Sequence, residues 1–277
     1  MIRKSHCTPF IKWAGGKRVV LPELKKRLPK KFGRYFEPFI GGGALLFHLQ
    51  NSNSHISDMN EELINTYQTI RDDLENLIKD LENHQNTPEY FYEIRSLDRD
   101  SEKYSELSKV ERASRFIYLN KSCFNGLYRV NLKGQFNTPF GKYKKPTYYI
   151  RENLEKCSQF LKDVYIQVGD FSIFEEYIQK DDFFYFDPPY FPITETANFT
   201  AYTKDGFGFK EQQRLLDFAK KIDQKGGYFL ISNSYSDEVL EFYKDFNIDI
   251  IEVGRSINSK GNARGKLKEI LVRNYEI

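Results

Sequence analysis

Phe183-Phe184-Tyr185-Phe186-Asp187-Pro188-Pro189-Tyr190 is the stretch from which the fold can be read. Four consecutive aromatics, with Asp181-Asp182 before them and a proline pair after, predict a short buried strand. Proline has no N–H and a fixed φ, so neither a helix nor a longer ladder can continue, and the strand stops at Asp187. A carboxylate at the carboxyl end of a buried strand stands where open α/β sheets place their ligands. The Pro188 carbonyl adds a second acceptor, and Tyr190 adds a flat face. An acceptor pair and a stacking platform on a stiff turn suit a planar amine. The plainer alternative is an Asp opening a proline turn.

Upstream, Arg34-Tyr-Phe-Glu-Pro-Phe-Ile-Gly-Gly-Gly43 reads as a second short strand running into a glycine turn and an apolar helix, Ala44 to Leu49. Glycines let a backbone approach a ligand closely, and a helix start presents free N–H groups. The dinucleotide fingerprint wants a further glycine where this chain has Leu46, so a smaller nucleoside cofactor is expected over the turn. The run His55-Ile-Ser-Asp58 is a strand ending in an acid placed to accept from ribose hydroxyls, with Asp58 or Asn60 as the cap of the next helix and both roles compatible. That helix is predicted over Glu61 to Asn83, from Leu63, Ile64, Tyr67, Ile70, Leu74, Leu77, Ile78 and Leu81 at spacings of three and four. Further upstream, Trp13-Ala-Gly-Gly-Lys17-Arg18 is no P-loop, because Arg18 stands where a magnesium-binding hydroxyl is required. A helix is expected from about Val19 to Leu28.

Downstream of Asn153 to Leu161, another helix, Val164 to Val168 alternates as a strand and ends in Gly169-Asp170-Phe171, an acid followed by an aromatic able to pack on an adenine ring. Beyond Tyr190, Ile193 to Phe209 reads as a long polar-aromatic loop. Glu211 to Gln224 is helical, Tyr228 to Ile231 is strand, Ser232 to Ser234 follows it, and a helix runs to Phe246. Ile248 to Val253 and Glu269 to Asn274 form an antiparallel pair, flanking a basic loop with Arg255, Lys260, Arg264 and Lys266. The class is therefore α/β, a mostly parallel sheet closed by an antiparallel C-terminal hairpin.

Charge is unevenly spread. Between Glu111 and Glu152 lie nine Lys or Arg and no acid; removing them from the chain's 42 leaves 33 cations against 39 acids. One basic segment on an acidic body predicts a polyanion docking at a defined place. Within it, Cys123 to Pro146 suggests a hairpin around Lys133-Gly134. Phe124, Tyr128, Phe136, Phe140 and Tyr143 alternate there with cations and with Asn125, Asn131 and Gln135. Cations neutralise phosphates, amides and Arg read base edges, and aromatics wedge or stack. Three scattered cysteines and four histidines without ligand spacing predict a reducing compartment, no disulfide framework and no metal. Without an apolar leader or spanning run, the expectation is a cytoplasmic protein with no membrane partner.

Taken together, Phe10-Ile-Lys-Trp-Ala-Gly-Gly-Lys17, Phe36-Glu-Pro-Phe-Ile-Gly-Gly-Gly43, Ser57-Asp58, Phe124-Asn-Gly-Leu-Tyr-Arg129, Pro139-Phe-Gly-Lys-Tyr143 and Asp187-Pro-Pro-Tyr190 resemble the D12 class of α-type adenine-N6 DNA methyltransferases, the Dam-like group that modifies GATC. The resemblance covers nearly the whole chain. It implies a Rossmann-like methyltransferase domain over 1–65 and 155–277, with an inserted, mostly helical DNA-recognition domain over 66–154. It implies S-adenosyl-L-methionine held by Trp13, Lys17, Phe39, Gly41, Gly43, Asp58, Asp170, Phe171 and Asp187. Catalysis falls to Asp187, Pro188 and Tyr190. Double-stranded DNA is met by Phe124, Asn125, Leu127, Arg129, Lys133, Pro139, Lys142 and Tyr143, with Arg129 on a guanine. Phe124 stands where some relatives carry Tyr, and Lys142 where Arg occurs. A monomer is implied, working as an orphan enzyme or beside a restriction endonuclease of the same site. A cytosine-N4 methyltransferase would usually show Ser in place of Asp187, and an amide methyltransferase Asn. A DNA-binding module without activity would not need acids at three strand ends.

Overall fold

The computed structural model describes residues 6–190, 207–254 and 266–277. Much of the loop expected from Ile193, and the basic loop carrying Arg255, Lys260 and Arg264, lie outside the described residues.

Phe183–Phe186 is strand β4, and all four aromatics are buried. A strand covered on both faces reads as an unbroken apolar run, which is why the alternation of a half-exposed strand is missing here. Around it stand β1 (Tyr35–Glu37), β2 (Ser54–Asp58), β3 (Tyr165–Val168), β5 (Tyr228–Ser234), β6 (Asn247–Gly254) and β7 (Lys266–Arg273), in the sheet order β3-β2-β1-β4-β5-β7-β6. β1 runs parallel to β2 and β4, and β4 parallel to β5; β7 is antiparallel to both β5 and β6. The expected parallel sheet with an antiparallel C-terminal pair is the observed one. Its order reverses between β1 and β4, the point at which open α/β sheets take ligands.

The chain divides into two compact units. One comprises Met1–Gly16, Gly41–Ser52 and Asp58–Val168, the other Lys17–Ile40, Asn53–Ser57 and Gly169–Ile277. The second unit is built on stacked rings. The Phe36 ring centre lies 4.3 Å from that of Phe184 and 4.6 Å from that of His55, stacked nearly parallel to both, because the register sets the three opposite one another. Such cross-strand pairs contribute about 0.5–1.5 kcal/mol each beyond their burial. Leu215, Leu216, Phe218, Ala219 and Ile222 of a helix over Phe209–Gln224 cover the same cluster.

The first unit is helical: α1 of the chain (Leu21–Lys25) belongs to the other unit, but α2 (Ala44–Leu49), α3 (Glu61–Asp72), α4 (Leu74–Glu82), α5 (Pro88–Ser96), α6 (Ser101–Glu106), α7 (Lys109–Ser122) and α8 (Arg151–Leu161) all fall here. The helices after Gly208 are then α9 (Phe209–Gln224) and α10 (Asp237–Phe242). The single helix expected over Glu61 to Asn83 is two. Asp73 leaves helical geometry (φ −145°, ψ 50°), and its carboxylate accepts from the Asn76 side chain at 2.9 Å, the local competition that makes Asp a poor interior helix residue. The apolar period survives the break, with Leu63, Ile64, Tyr67, Ile70, Leu77, Ile78 and Leu81 all buried.

Other boundaries also differ. α1 is shorter than expected, and α10 ends at Phe242 rather than Phe246. β5 runs on through Ser232–Ser234 because β7 pairs along it and the polar side chains find partners: Ser232 meets the Tyr185 hydroxyl at 2.9 Å and Asn233 donates to Gln212 at 3.2 Å. No apolar period marks α6, whose start is set by Asp100 accepting from the Lys103 N–H.

Asp98 ties the loop after α7 to the helices. It pairs with the buried Arg115 at 2.8 Å and with Arg99, and accepts from the Phe136 N–H at 2.8 Å. Removing one partner of a buried ion pair leaves the other charge uncompensated. We expect Asp98→Ala to lower stability by about 3 kcal/mol, read by urea unfolding through the single tryptophan, Trp13, which stacks 5.6 Å from Tyr128 of that loop.

Candidate active site

Asp187 leaves β4 as its ladder ends. Its Oδ1 lies 2.8 Å from Lys17 Nζ, with side-chain exposures of 21% and 6% respectively. The same ammonium donates to the Tyr190 hydroxyl at 2.7 Å and stands 4.6 Å from the Tyr190 ring centre. That hydroxyl in turn donates to Glu269 Oε2 of β7 at 2.7 Å. Burial pushes the Asp187 carboxyl up to about 6; Lys17 draws it down and the Glu269 charge raises it. Tyr190 is raised by burial and then by Asp187 and Glu269, so its phenol keeps its proton. Behind this turn, Gln212 is almost fully buried and donates to the Pro189 carbonyl at 3.3 Å. The Pro188 carbonyl has no hydrogen-bond partner among the described residues.

In the same unit, Phe39 follows β1 and lies 5.9 Å from Phe171. Phe171 is 1% exposed, and the Arg214 guanidinium stands 5.0 Å over its ring. It is a core residue with a cation on its face. Asp170 caps the turn after β3: its Oδ1 accepts from the Ser172 N–H at 3.1 Å and from Arg214 at 2.7 Å.

The other unit gathers Trp13, Gly41, Gly43 and Asp58. Asp58 Oδ2 accepts from the Gly41 N–H at 3.2 Å and Oδ1 from the Asn60 N–H at 3.0 Å. Burial raises this carboxyl and the N–H bonds pull it back. Asn60, not Asp58, caps α3. Gly41 and Gly43 take left-handed φ of 44° and 67°, and a Cβ on Gly41 would lie 2.6 Å from the Trp13 indole. Glycine is required there for both reasons.

The basic segment of this unit folds as a looped hairpin held by the bridges Cys123↔Phe140 and Val130↔Phe136. Phe124 is 52% exposed, and Asn125, Arg129, Lys133, Pro139 and Lys142 are also exposed. Leu127 and Tyr143 are half-buried, the latter with Lys12 5.0 Å over its ring. Arg129 Nε donates to Asn137 at 2.6 Å. Three expectations for this segment change. Asn131 and Gln135 are half-buried and bonded within the turn: Asn131 accepts from the Lys133 and Gln135 N–H groups and donates to the Gln135 side chain. Phe136 is buried, and Tyr128 and Phe140 pack with it on the helices, which leaves Phe124 as the exposed ring. The nine cations are not all free: Arg112 pairs with Glu62, Arg115 with Asp98 and Arg151 with Glu75.

Residues 13–257 match the family described as D12 class N6 adenine-specific DNA methyltransferase. The chain belongs to this family. It is 47% identical, over 98% of its length and 97% of the relative's, to Type II methyltransferase M1.LlaDCHI of Lactococcus lactis subsp. cremoris. It is 40% identical, over 96% and 99%, to Type II methyltransferase M.MjaIII of Methanocaldococcus jannaschii, and 33% identical, over 95% and 93%, to the DNA adenine methylase of Escherichia coli K12. As a D12-class enzyme it takes a methyl group from a donor and places it on adenine N6 in DNA. Among the described residues no helix is long and apolar enough to cross a membrane.

Sequence reading missed Glu269 and Gln212, which grip the Asp187–Tyr190 turn from elements beyond it. It also missed Leu132, fully exposed at the hairpin tip. No local pattern marks the first two. An apolar residue in a turn was the available signal for the third. For the glycine turn, Gly41→Ala is expected to cost about 1–2 kcal/mol from the left-handed backbone alone and to displace Trp13, shifting its fluorescence. Gly42→Ala, whose Cβ would meet only the Trp13 Cβ at 3.3 Å, should leave that signal nearly unchanged.

Proposed function

We propose that this D12-class enzyme methylates adenine N6 in GATC of double-stranded DNA, using S-adenosyl-L-methionine, with the target base flipped out of the duplex. The observation that carries the chemistry is the acceptor pair at the end of β4: the Asp187 carboxylate beside a Pro188 carbonyl with no partner among the described residues. Adenine N6 is a poor nucleophile because its lone pair is delocalised into the ring. Accepting both N6 hydrogens, on Asp187 and on the Pro188 carbonyl, draws the nitrogen towards tetrahedral geometry and frees that pair. Tyr190 offers a ring for the base to stack on, held by its hydroxyl. The donor, when bound, supplies an electrophilic methyl on a sulfonium. Asp187, raised to about 6, is ionised at neutral pH and basic enough to take the proton that the methylated nitrogen sheds. Rate comes from positioning and electrostatics, without a covalent intermediate.

The residues present suit a nucleoside-bearing donor. Gly41 lets the Trp13 indole lie directly against the turn, where a Cβ would collide with it. Asp58 spends one lone pair of each oxygen on backbone N–H groups and keeps others for ribose hydroxyls. Both bonds of Asp170 fall on Oδ1, leaving Oδ2 to accept. Trp13, Phe39 and the Gly41 and Gly43 backbone complete the proposed set, with Lys17 acting on Asp187. For DNA, residues 66–154 are the proposed recognition domain, and 1–65 with 155–277 the catalytic body. Phe124 is the ring free to enter the base stack, at the few kcal/mol that flipping demands. Arg129 is assigned to a guanine, and Asn125, Leu127 and Pro139 to base edges. Lys133, Lys142 and Tyr143 take the backbone. The type II names of two relatives favour a modification role beside an endonuclease of the same site, with the enzyme a cytoplasmic monomer.

Asp187→Asn keeps the size and inverts part of the hydrogen bonding. We expect kcat to fall by about 10²–10³ or more, while duplex affinity by filter binding stays within about twofold. In the wild type, the raised carboxyl gives the pH dependence its sign. Below about 6 Asp187 is protonated and the acceptor is lost, so kcat rises with pH through that value and then levels. Wild-type turnover in Asp187→Asn, or a flat rate from pH 5 to 7, would contradict the assignment.

A further inference from the structure

Glu269 stands on β7 opposite Ser234 of β5 and Ile251 of β6, half-buried, at the edge of the Asp187–Tyr190 turn. Nothing in a strand of this pattern calls for an acid at that position. Its neighbour Ile270 is buried and Glu269 brings a carboxylate beside another carboxylate, an arrangement that costs stability unless something offsets it. What offsets it is one chain of contacts. Glu269 Oε2 accepts the Tyr190 phenol at 2.7 Å, the phenol oxygen accepts from Lys17 at 2.7 Å, and Lys17 reaches Asp187 at 2.8 Å. A tyrosine hydroxyl has one hydrogen and two lone pairs. With Lys17 donating to it, that hydrogen can only go to Glu269, so the orientation of the phenol is fixed from both sides.

We propose that Glu269 is a positioning residue for methyl transfer, holding the Tyr190 ring by its hydroxyl and setting the charge felt by Asp187 through the Tyr190–Lys17 chain. This rests on Asp187 being the acceptor for adenine N6. The groups facing Asp187 are Lys17, Glu269, Tyr190 and, from β4 itself, the buried Tyr185, whose hydroxyl is taken up with Ser232. Of these, Glu269 alone brings a second negative charge, and its effect is to raise the Asp187 carboxyl. A more basic carboxylate is a stronger acceptor. Glu269 therefore strengthens the grip on the N6 hydrogens without touching the base, and keeps the stacking ring from swinging away.

Glu269→Gln separates the two contributions, since an amide oxygen still accepts the phenol but carries no charge. The expected result is a kcat lower by about five- to tenfold, the size of a weakened hydrogen bond to a charged group. The acid limb of the kcat–pH profile should move to lower pH, and KM for the methyl donor should stay within about twofold. Glu269→Ala should lose more, because the phenol loses its acceptor. If Glu269 held only the fold, the melting temperature would fall and the acid limb would stay put. An unshifted limb with wild-type kcat in Glu269→Gln overturns the proposal. Asp187→Asn, run alongside, tells the two readings apart. If it is inactive and Glu269→Gln is unchanged, the positioning role alone fails. If it turns over normally, the acceptor assignment fails and this inference fails with it.

Discussion

The ion pair between Lys17 and Asp187 is the constraint on which the Asp187–Tyr190 turn depends. A carboxylate must sit at the end of a strand buried on both faces, where water cannot solvate it well, and still be ionised near neutrality. A nearly fully buried ammonium at 2.8 Å makes that possible. Loss of either partner would strand the other in low dielectric, at about 3–5 kcal/mol. The surrounding features serve this pair. The proline pair stops the ladder at the strand end, Gln212 fixes the Pro189 carbonyl, and Tyr190 accepts from the ammonium while donating its own hydrogen to Glu269. The carboxyl at about 6 is the balance of burial, which raises it, and Lys17, which lowers it.

The helical unit solves a different problem, presenting an exposed basic loop that has no regular ladder of its own. Two isolated bridges and scattered backbone bonds, such as Asn131 N–H to the Gln135 carbonyl and Asn137 N–H to the Arg129 carbonyl, join residues 123–140, and side chains supply the rest. Asp98 anchors it through the Phe136 N–H, and Asn131 braces the turn. Tyr128, Phe136 and Phe140 root it in the helices. With those residues committed inward, the outward face carries Phe124, Asn125, Arg129, Val130, Lys133, Pro139 and Lys142 and the apolar tip at Leu132.

How much of this was legible in the chain depends on how locally each feature is determined. β4 and its end could be read because aromatics and prolines act on their own backbone. The three acids at strand ends followed from the same period counting. The Asp73 break could not, since the apolar period continues in phase across it. The acid-free run from Arg112 to Arg151 overstated the exposed charge, because the acids that pair with Arg112, Arg115 and Arg151 are Glu62, Asp98, Glu75 and Glu155, all outside the run. Aromatic content likewise could not say which rings face inward. Glu269 lies 79 residues from Tyr190 and meets it only because β7 runs antiparallel beside β5. Contacts made by sheet topology leave no local signature.

The central claim is that the Asp187–Pro188 acceptor pair works on the amino group of adenine in GATC. The most direct measurement is to treat unmethylated plasmid DNA with the enzyme and S-adenosyl-L-methionine and to map every modified base by single-molecule sequencing. The account predicts N6-methyladenine at GATC and nowhere else. Methyl groups on cytosine N4, or on adenines outside GATC, would contradict it.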